Sequence, residues 1–326
     1  MDLEKSKPLS ENVTNSLESC FFNIETHSLK VDTYFENYES AFEGLQKSNL
    51  VVVEVGVLDG GSLRMWQGFF GPTSRIVGIE KNTKAEELRS LGFEIFIADQ
   101  ESKEDLRKVF EEIGPIDVFI DDGGHTAKGQ IISSLVAAKY VKDGGVIIVE
   151  DTHSSFASDF GMPHKYSFAN WVHQVADLMD QAYLVNKGHQ DQKYYKKYSH
   201  EIIEFVSHIH EIRKFRSMTI FRVRHNSISP KTVDNMKGTT EFTDSRWNAD
   251  SHLMRILLKI QNFAEWRYSS FGNTNSKFQF LNALTNPTLA LAIRSFLKPI
   301  FLTCKTLRGS LRKCDHNKLS KFFEVK

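Results

Sequence analysis

Two short acidic motifs, each followed by a histidine, are the first places in this 326-residue chain where side chains could do chemistry. Asp121-Asp122-Gly123-Gly124-His125 follows the apolar run IDVFI, and Glu150-Asp151-Thr152-His153 follows GVIIV. If the two runs are adjacent strands, Asp122, Glu150 and Asp151 meet at their ends and repel one another. A bound divalent cation relieves that repulsion most directly, and hard oxygen ligands favour Mg²⁺, with Mn²⁺ or Ca²⁺ as alternatives. His125, three residues beyond Asp122, then faces the site with an imidazole suited to taking a proton. Helix capping by the acids and a surface histidine are the competing reading of the same residues.

A second cluster is Glu54-Val55-Gly56-Val57-Leu58-Asp59-Gly60-Gly61-Ser62, at the end of the apolar run LVVV and ahead of a helical pattern. Gly56, Gly60 and Gly61 let backbone approach a ligand, and the helix start offers unpaired N–H groups. The spacing departs from the G-x-G-x-x-G of dinucleotide sites, and the acidic Glu54 suits a cationic amino-acid moiety better than a pyrophosphate. Glu80 closes the next apolar run, where a carboxylate can accept from two ribose hydroxyls. Asp99 and Gln100 close the third, where an acid and an amide can read an exocyclic amine and ring nitrogens. An adenosine with a positively charged tail, S-adenosylmethionine, satisfies all three ends. Ser62 and Asp121 are placed in the same pocket. Solvated loop acids are the alternative.

These residues need a scaffold that brings strand ends together. LVVVEVG (50–56), RIVGIE (75–80), FEIFIA (93–98), IDVFID (116–121) and GVIIVE (145–150) read as buried strands. SLRMWQGFF, KAEELRSLG, SKEDLRKVFEEIG and residues 126–142 lie between them with helical spacing, so a doubly wound α/β unit is expected. SFANWVHQVADLMD is a further helix, and HIHEI (208–212) with SMTIFRV (217–223), separated by RKFR, is an antiparallel hairpin at the sheet edge. Aromatic residues at Tyr34, Phe35, Tyr38 and Phe42 predict a helix within 30–47 that packs on the sheet. The expected organisation is an N-terminal helical segment (1–48), a nucleotide-binding domain (49–225) and a mostly helical basic extension (226–326).

Taken in order, KVDTYFENY, EVGVLDGGSLRMW, GIE, ADQ, IDDGGHT, GGVIIVEDTHSS and KFRSMTIFRV resemble the class I S-adenosylmethionine-dependent methyltransferases related to the macrocin and mycinamicin sugar O-methyltransferases and the cephalosporin-biosynthesis protein. The likeness covers residues 30–225. It implies a seven-strand Rossmann-like methyltransferase sheet with an antiparallel last strand, a metal held by Asp122, Glu150 and Asp151, and His125 as base. Two positions depart from the family pattern. Glu80-Lys81-Asn82 stands where Asp followed by an apolar residue is common, and His173 where lysine is frequent.

Composition bounds the alternatives. Forty-one basic and forty-one acidic residues cancel, which disfavours a general nucleic-acid binder. Neither an N/D-P-P-Y turn nor a cysteine near the fourth strand is present for base methylation. The three cysteines form no CxxC pair and fit a reducing compartment, so the cytoplasm is expected. No run of eighteen apolar residues occurs. His200, His208 and His210 lack a carboxylate partner and read as structural. Residues 293–326 carry nine Lys or Arg against two acids, and an apolar stripe from Leu289 to Leu311 accompanies them. This predicts peripheral contact of residues 287–326 with an anionic inner membrane face or glycan assembly, against packing on the domain or on a second subunit of a homo-oligomer. The expected activity is metal-dependent O-methylation of a hydroxyl on a sugar-containing small molecule or glycan. A non-catalytic adaptor at a membrane-associated glycan assembly and a nicotinamide oxidoreductase are the readings from other classes.

Overall fold

The protein is described from a computed structural model, which describes residues 16–45, 49–160, 166–186 and 198–225. All of these lie in one of the two units into which the chain divides, Met1–Pro230 with Cys314–Lys326. The expected basic extension, with its peripheral membrane contact, lies outside the described residues. Among the described residues no helix is long and apolar enough to cross a membrane.

Seven strands form one sheet: β1 (Val51–Val55), β2 (Arg75–Glu80), β3 (Glu94–Ile97), β4 (Ile116–Asp121), β5 (Val141–Val149), β6 (Ile209–Phe215) and β7 (Met218–Val223). Their order across the sheet is β3-β2-β1-β4-β5-β7-β6. The first five run parallel, whereas β7 runs antiparallel to both β5 and β6. Register aligns the strand ends that matter. Val55 pairs with Ile79 and Asp121, and Asp121 with Val149, so Gly56, Asp122 and Glu150 emerge side by side.

Side chains alternate along each strand, and each face meets its own helices. Val53, Val55, Phe119, Ile147 and Val149 join the core beneath α4 (Lys103–Ile113), α5 (Ala127–Ala137), α6 (Phe168–Asn186) and α7 (His200–His208). Val52, Val118, Ile120, Val146 and Ile148 join the core beneath α1 (Leu17–Phe22), α2 (Tyr34–Ala41) and α3 (Gly61–Phe70). Glu54 follows Val52 by two residues and therefore points toward the α2 and α3 side. Arginines of the last two strands secure α2: Arg213 Nη1 donates to the Ser40 carbonyl at 3.1 Å and Arg222 Nη2 to the Ala41 carbonyl at 2.7 Å. Both carbonyls belong to the helix's last turn, which has no partner of its own for them.

The helix expected within 30–47 is Tyr34–Ala41, and residues 27–31 have no regular secondary structure. Three local expectations are corrected. The helix expected over 126–142 ends at Ala137, because Val141 is already paired with Ile116 at the start of β5. KAEELRSLG winds as a 3₁₀ helix, Thr83–Leu91, stopped by Gly92 at a φ of 90°. Arg213, Lys214 and Phe215 of the RKFR stretch belong to strand rather than loop, since β6 extends to Phe215 and the reversal takes place at Arg216-Ser217, with Ser217 at a φ of 60°.

Trp171 on α6 is fully buried, with ring centroids 5.0 Å from Phe205 and 6.1 Å from Phe221. It therefore joins the last helix pair to the inner strand of the hairpin. Trp171→Ala is expected to cost about 3–5 kcal/mol, the range for truncating a large buried aromatic. Urea denaturation of the two proteins measures it, and a loss under about 1 kcal/mol would show that this layer is not closely packed.

Candidate active site

A cleft of about 630 Å³ opens at the carboxyl ends of the parallel strands. Its walls come from the turns after β1, β2, β3 and β4, from Asp151 after β5, and from His27, Ser28 and Leu29 of the N-terminal segment. In open α/β sheets this edge is where ligands bind.

The β1 turn is shaped by close approach. Gly56 has a φ of 86°, and a Cβ there would lie 2.2 Å from the Asp122 carbonyl oxygen, so only glycine lets the first and fourth strand ends touch. A Cβ on Gly61 would meet Ser28 Cβ at 2.7 Å and the His27 carbonyl at 2.9 Å, which puts the N-terminal segment directly on the start of α3. Glu80 braces the same turn: Oε2 accepts from the N–H groups of Val57 and Leu58 at 3.1 and 3.4 Å, and Oε1 from those of Lys81 and Asn82 at 2.8 and 3.0 Å. Asp99 faces Lys81 at 2.7 Å and accepts from the Glu101 N–H at 2.9 Å. Burial by itself raises the Asp99 carboxyl, but the hydrogen bonds from Lys81 and the Glu101 N–H together with the charges of Lys81 and Lys128 outweigh it and leave the pKa lowered.

Of the residues expected in the site, Gly56, Gly61, Ser62, Glu80, Asp99, Gln100, Asp122, His125 and Asp151 line this single cleft. Gly60 starts α3 as its left-handed cap, at a φ of 78°. Asp121 lies behind the wall, fully buried, and holds the turn together through Ser133 Oγ, the Gly123 N–H and Gln100 Nε2 at 3.2 Å. Burial raises its pKa. The other end of the Gln100 amide accepts from the Gly124 N–H at 2.7 Å, so β3 and the β4 turn are tied by one side chain.

The acids fall into two groups that share Asp122. Toward the cleft, Asp122, His125 and Asp151 bring their ligand atoms within 4.8 Å of one another, with His125 Nε2 3.4 Å from Asp151 Oδ2. His125 Nδ1 is buried and has no hydrogen-bond partner. Both His125 and Asp151 have positive φ values, 52° and 51°, a conformation that L-residues hold only when their surroundings require it. On the inner side, Asp122 meets Glu54 and Glu150 within the same distance. Glu54 is fully buried, accepts from Ser62 Oγ at 2.6 Å through Oε2, and leaves Oε1 without a hydrogen bond. Burial pushes the pKa of Glu54 up to about 7 and that of Glu150 up to about 8.

Three residues of this centre were not foreseen, and all lie in KVDTYFENY. Lys30 Nζ reaches Asp122 Oδ2 at 2.5 Å and the two Glu150 oxygens at 2.8 and 3.0 Å. The Tyr38 hydroxyl donates to Glu150. The Tyr34 hydroxyl lies 2.7 Å from Asp151 Oδ1 and accepts from the Asp151 N–H at 3.2 Å. Tyr34 and Tyr38, four apart, read as an apolar helical face, yet a buried tyrosine hydroxyl needs a polar partner. That need was the available signal. For Lys30 the sequence carried none.

No family model matches the chain. The relatives it matches are O-methyltransferases. An 8-demethyl-8-alpha-L-rhamnosyl tetracenomycin-C 2'-O-methyltransferase of Streptomyces olivaceus is 32% identical over 133 residues, 39% of this chain and 35% of the relative. A mycinamicin VI 2''-O-methyltransferase of Micromonospora griseorubida is 31% identical over 132 residues, 38% of this chain and 33% of the relative. The matched stretch thus spans about a third of each relative's length. Among solved structures, the MycE methyltransferase of the mycinamycin pathway, determined with Mg and SAH, superposes with a TM-score of 0.54 at 20% identity, over 73% of this chain and 59% of that one. At that identity the likeness is one of fold, and it agrees with the seven-strand sheet described above.

Gly56→Ala is expected to lower stability by at least about 2 kcal/mol, from the left-handed φ and the collision with the Asp122 carbonyl together. A denaturation midpoint equal to that of the parent protein would show that the first and fourth strand ends do not touch.

Proposed function

We propose that the protein is a metal-dependent O-methyltransferase that moves a methyl group from S-adenosylmethionine to a hydroxyl of a sugar or glycoside. The observation that carries this reading is the convergence of Asp122, His125 and Asp151 on the wall of the cleft whose other walls are the β1, β2 and β3 ends. The relatives named for O-methylation of rhamnosyl and olivosyl compounds support the acceptor class.

The donor set suits a hard divalent cation. Four carboxylates, Glu54, Asp122, Glu150 and Asp151, crowd together against one ammonium, and Glu54 Oε1 and His125 Nδ1 have no hydrogen-bond partner. Asp122, Glu150 and Asp151 would hold the ion, which would supply the Lewis acidity that lowers the pKa of an acceptor hydroxyl. S-adenosylmethionine would supply an activated methyl group on a good leaving group. Glu80 is assigned to its ribose, Asp99 and Gln100 to its base, and the stretch from Gly56 to Ser62, with Glu54 behind it, to its amino-acid end. Gly60 and Asp121 support that pocket by shaping the turns around it.

The chain's own part is then to orient and to move one proton. His125 Nε2 takes the proton of the acceptor hydroxyl, and Asp151, 3.4 Å away, steadies the imidazolium that results. The strand-end cleft holds donor and acceptor in line, the contribution that proximity and orientation make to a bimolecular transfer. A covalent intermediate on the enzyme is not required.

Isothermal titration with S-adenosylhomocysteine, with NAD as control, tests the cofactor assignment. Binding of the first and not the second is expected, and preference for NAD would overturn the reading. With labelled S-adenosylmethionine, Mg²⁺ and a panel of glycosides, Asp122→Ala and Asp151→Ala are each expected to abolish transfer, as is a chelator. Full turnover in a sample shown by elemental analysis to lack metal would remove the ion from the scheme. His125→Ala is expected to lower turnover roughly a hundredfold, the scale of losing a general base, while leaving the titration with S-adenosylhomocysteine unchanged.

A further inference from the structure

The two ends of the sheet carry different chemistry. The carboxyl ends of the parallel strands hold the cleft and its acids, whereas at the opposite end, beside the start of β5, two imidazoles meet. His208 closes α7 and His225 follows β7, so the two flank the open end of the β6–β7 hairpin. Their Nδ1 atoms lie 2.8 Å apart, with the rings at 76°. The tautomer of His225 is fixed by its other nitrogen. Nε2 lies 2.8 Å from the Val141 carbonyl oxygen, which can only accept, so in the neutral ring Nε2 carries the hydrogen and Nδ1 presents its lone pair to His208. Backbone contacts hold both residues in place: the His208 carbonyl accepts from the Arg224 N–H at 2.8 Å, and Asp143 Oδ1 accepts from the His225 N–H at 2.5 Å. Glu204 stands one turn before His208 on the same face of α7, with its carboxylate 2.8 Å from Lys139. Burial and the charge of His225 hold His208 below the usual histidine range, with Lys139 adding to this and Glu204 and Asp143 opposing it, so its ring is neutral near neutral pH.

We propose that His208 and His225 are the nitrogen ligands of a second metal site, one for Zn²⁺, with Glu204 as the third ligand and water as the fourth. The rings are arranged as metal-ligating histidines are, one nitrogen donating to a backbone carbonyl and the other left for the ion. Without an ion, the His208 Nδ1–H fills the gap as a hydrogen bond. An ion takes its place with no change in the charge of either ring: the His208 hydrogen moves to Nε2, and the two Nδ1 atoms part to about 3.3 Å, the separation set by Zn–N bonds of about 2.0 Å at a tetrahedral angle. Glu204 reaches the ion by leaving Lys139, a half-exposed partner that holds it weakly. Imidazole ligands separate this site from the cleft in kind as well as in place, because Mg²⁺ keeps to oxygen donors. Spacing along the chain could not show the pair, since the partner of His208 lies 17 residues on, across the hairpin. The inference is independent of the proposed activity.

The test is a Zn²⁺ titration of the full-length protein by calorimetry in saturating Mg²⁺, with Co²⁺ as a spectroscopic substitute. The parent and Asp122→Ala, which lacks an acid of the cleft, are each expected to take up one Zn²⁺ and to give the intense visible bands of four-coordinate Co²⁺. His208→Asn and His225→Asn are expected to lose both, and Glu204→Gln to bind more weakly. Where an asparagine variant does not fold, glutamine at the same position replaces it. Equal uptake by the parent and both histidine variants means an adventitious ion only and overturns the inference. No uptake by the parent overturns it too, leaving the pair as a hydrogen bond, and unchanged affinity in Glu204→Gln overturns the third ligand alone.

Discussion

Crowding of negative charge in a place sealed from water is the constraint around which this structure is arranged. A parallel sheet brings the ends of β1, β4 and β5 into register, and each of those ends carries an acid: Glu54, then Asp122, then Glu150 and Asp151. Burial drives Glu54 and Glu150 toward protonation, and the charge of Asp122 adds to it. Lys30, Tyr38 and Ser62 relieve the inner pair, while Tyr34 and His125 meet Asp151 at the cleft. An apolar set at the same positions would pack more easily. Retaining four acids makes sense only if the site handles positive charge.

The N-terminal segment takes on a different meaning in that light. It covers one face of the sheet with aromatic side chains, and the same stretch supplies the cation and two hydroxyls that quiet the acids. One short stretch, Lys30 to Tyr38, therefore couples core packing to the chemistry of the cleft. Because His27, Ser28 and Leu29 also form part of the cleft wall, pocket shape and charge compensation are set by neighbouring residues.

Much of the fold was legible because parallel strands leave a strong trace: β-branched runs of five or six residues, each ending in a turn with Gly or an acid. The expected ends, Glu80, Asp99, Asp122, Glu150 and Asp151, all lie at the carboxyl edge of the sheet. What could not be read was long-range and electrostatic. Lys30 looks like any solvent-facing lysine until the sheet places three carboxylates around its tip. Tyr34 and Tyr38 could be assigned to a helical face but not to the acids their hydroxyls touch. The start of β5 was missed for a related reason: Val141 is separated from the apolar run GVIIV by Lys142-Asp143-Gly144, whose strand conformation depends on the pairing of Val141 with Ile116.

The arginine clasp between the last two strands and α2 bears on the order in which the molecule can be made. Arg213 and Arg222 reach back 173 and 181 residues to the final turn of the helix that carries Tyr34 and Tyr38. Contacts this distant in the chain are the slowest to find one another, since a long loop must close before they yield anything. A ribosome-bound chain that has released its first five strands already holds every cleft acid, yet the hairpin that fixes the helix above them has still to emerge. The clasp that holds this helix over the charge-balanced centre is therefore closed only once residue 222 has been made, long after the lysine and tyrosines that meet the acids.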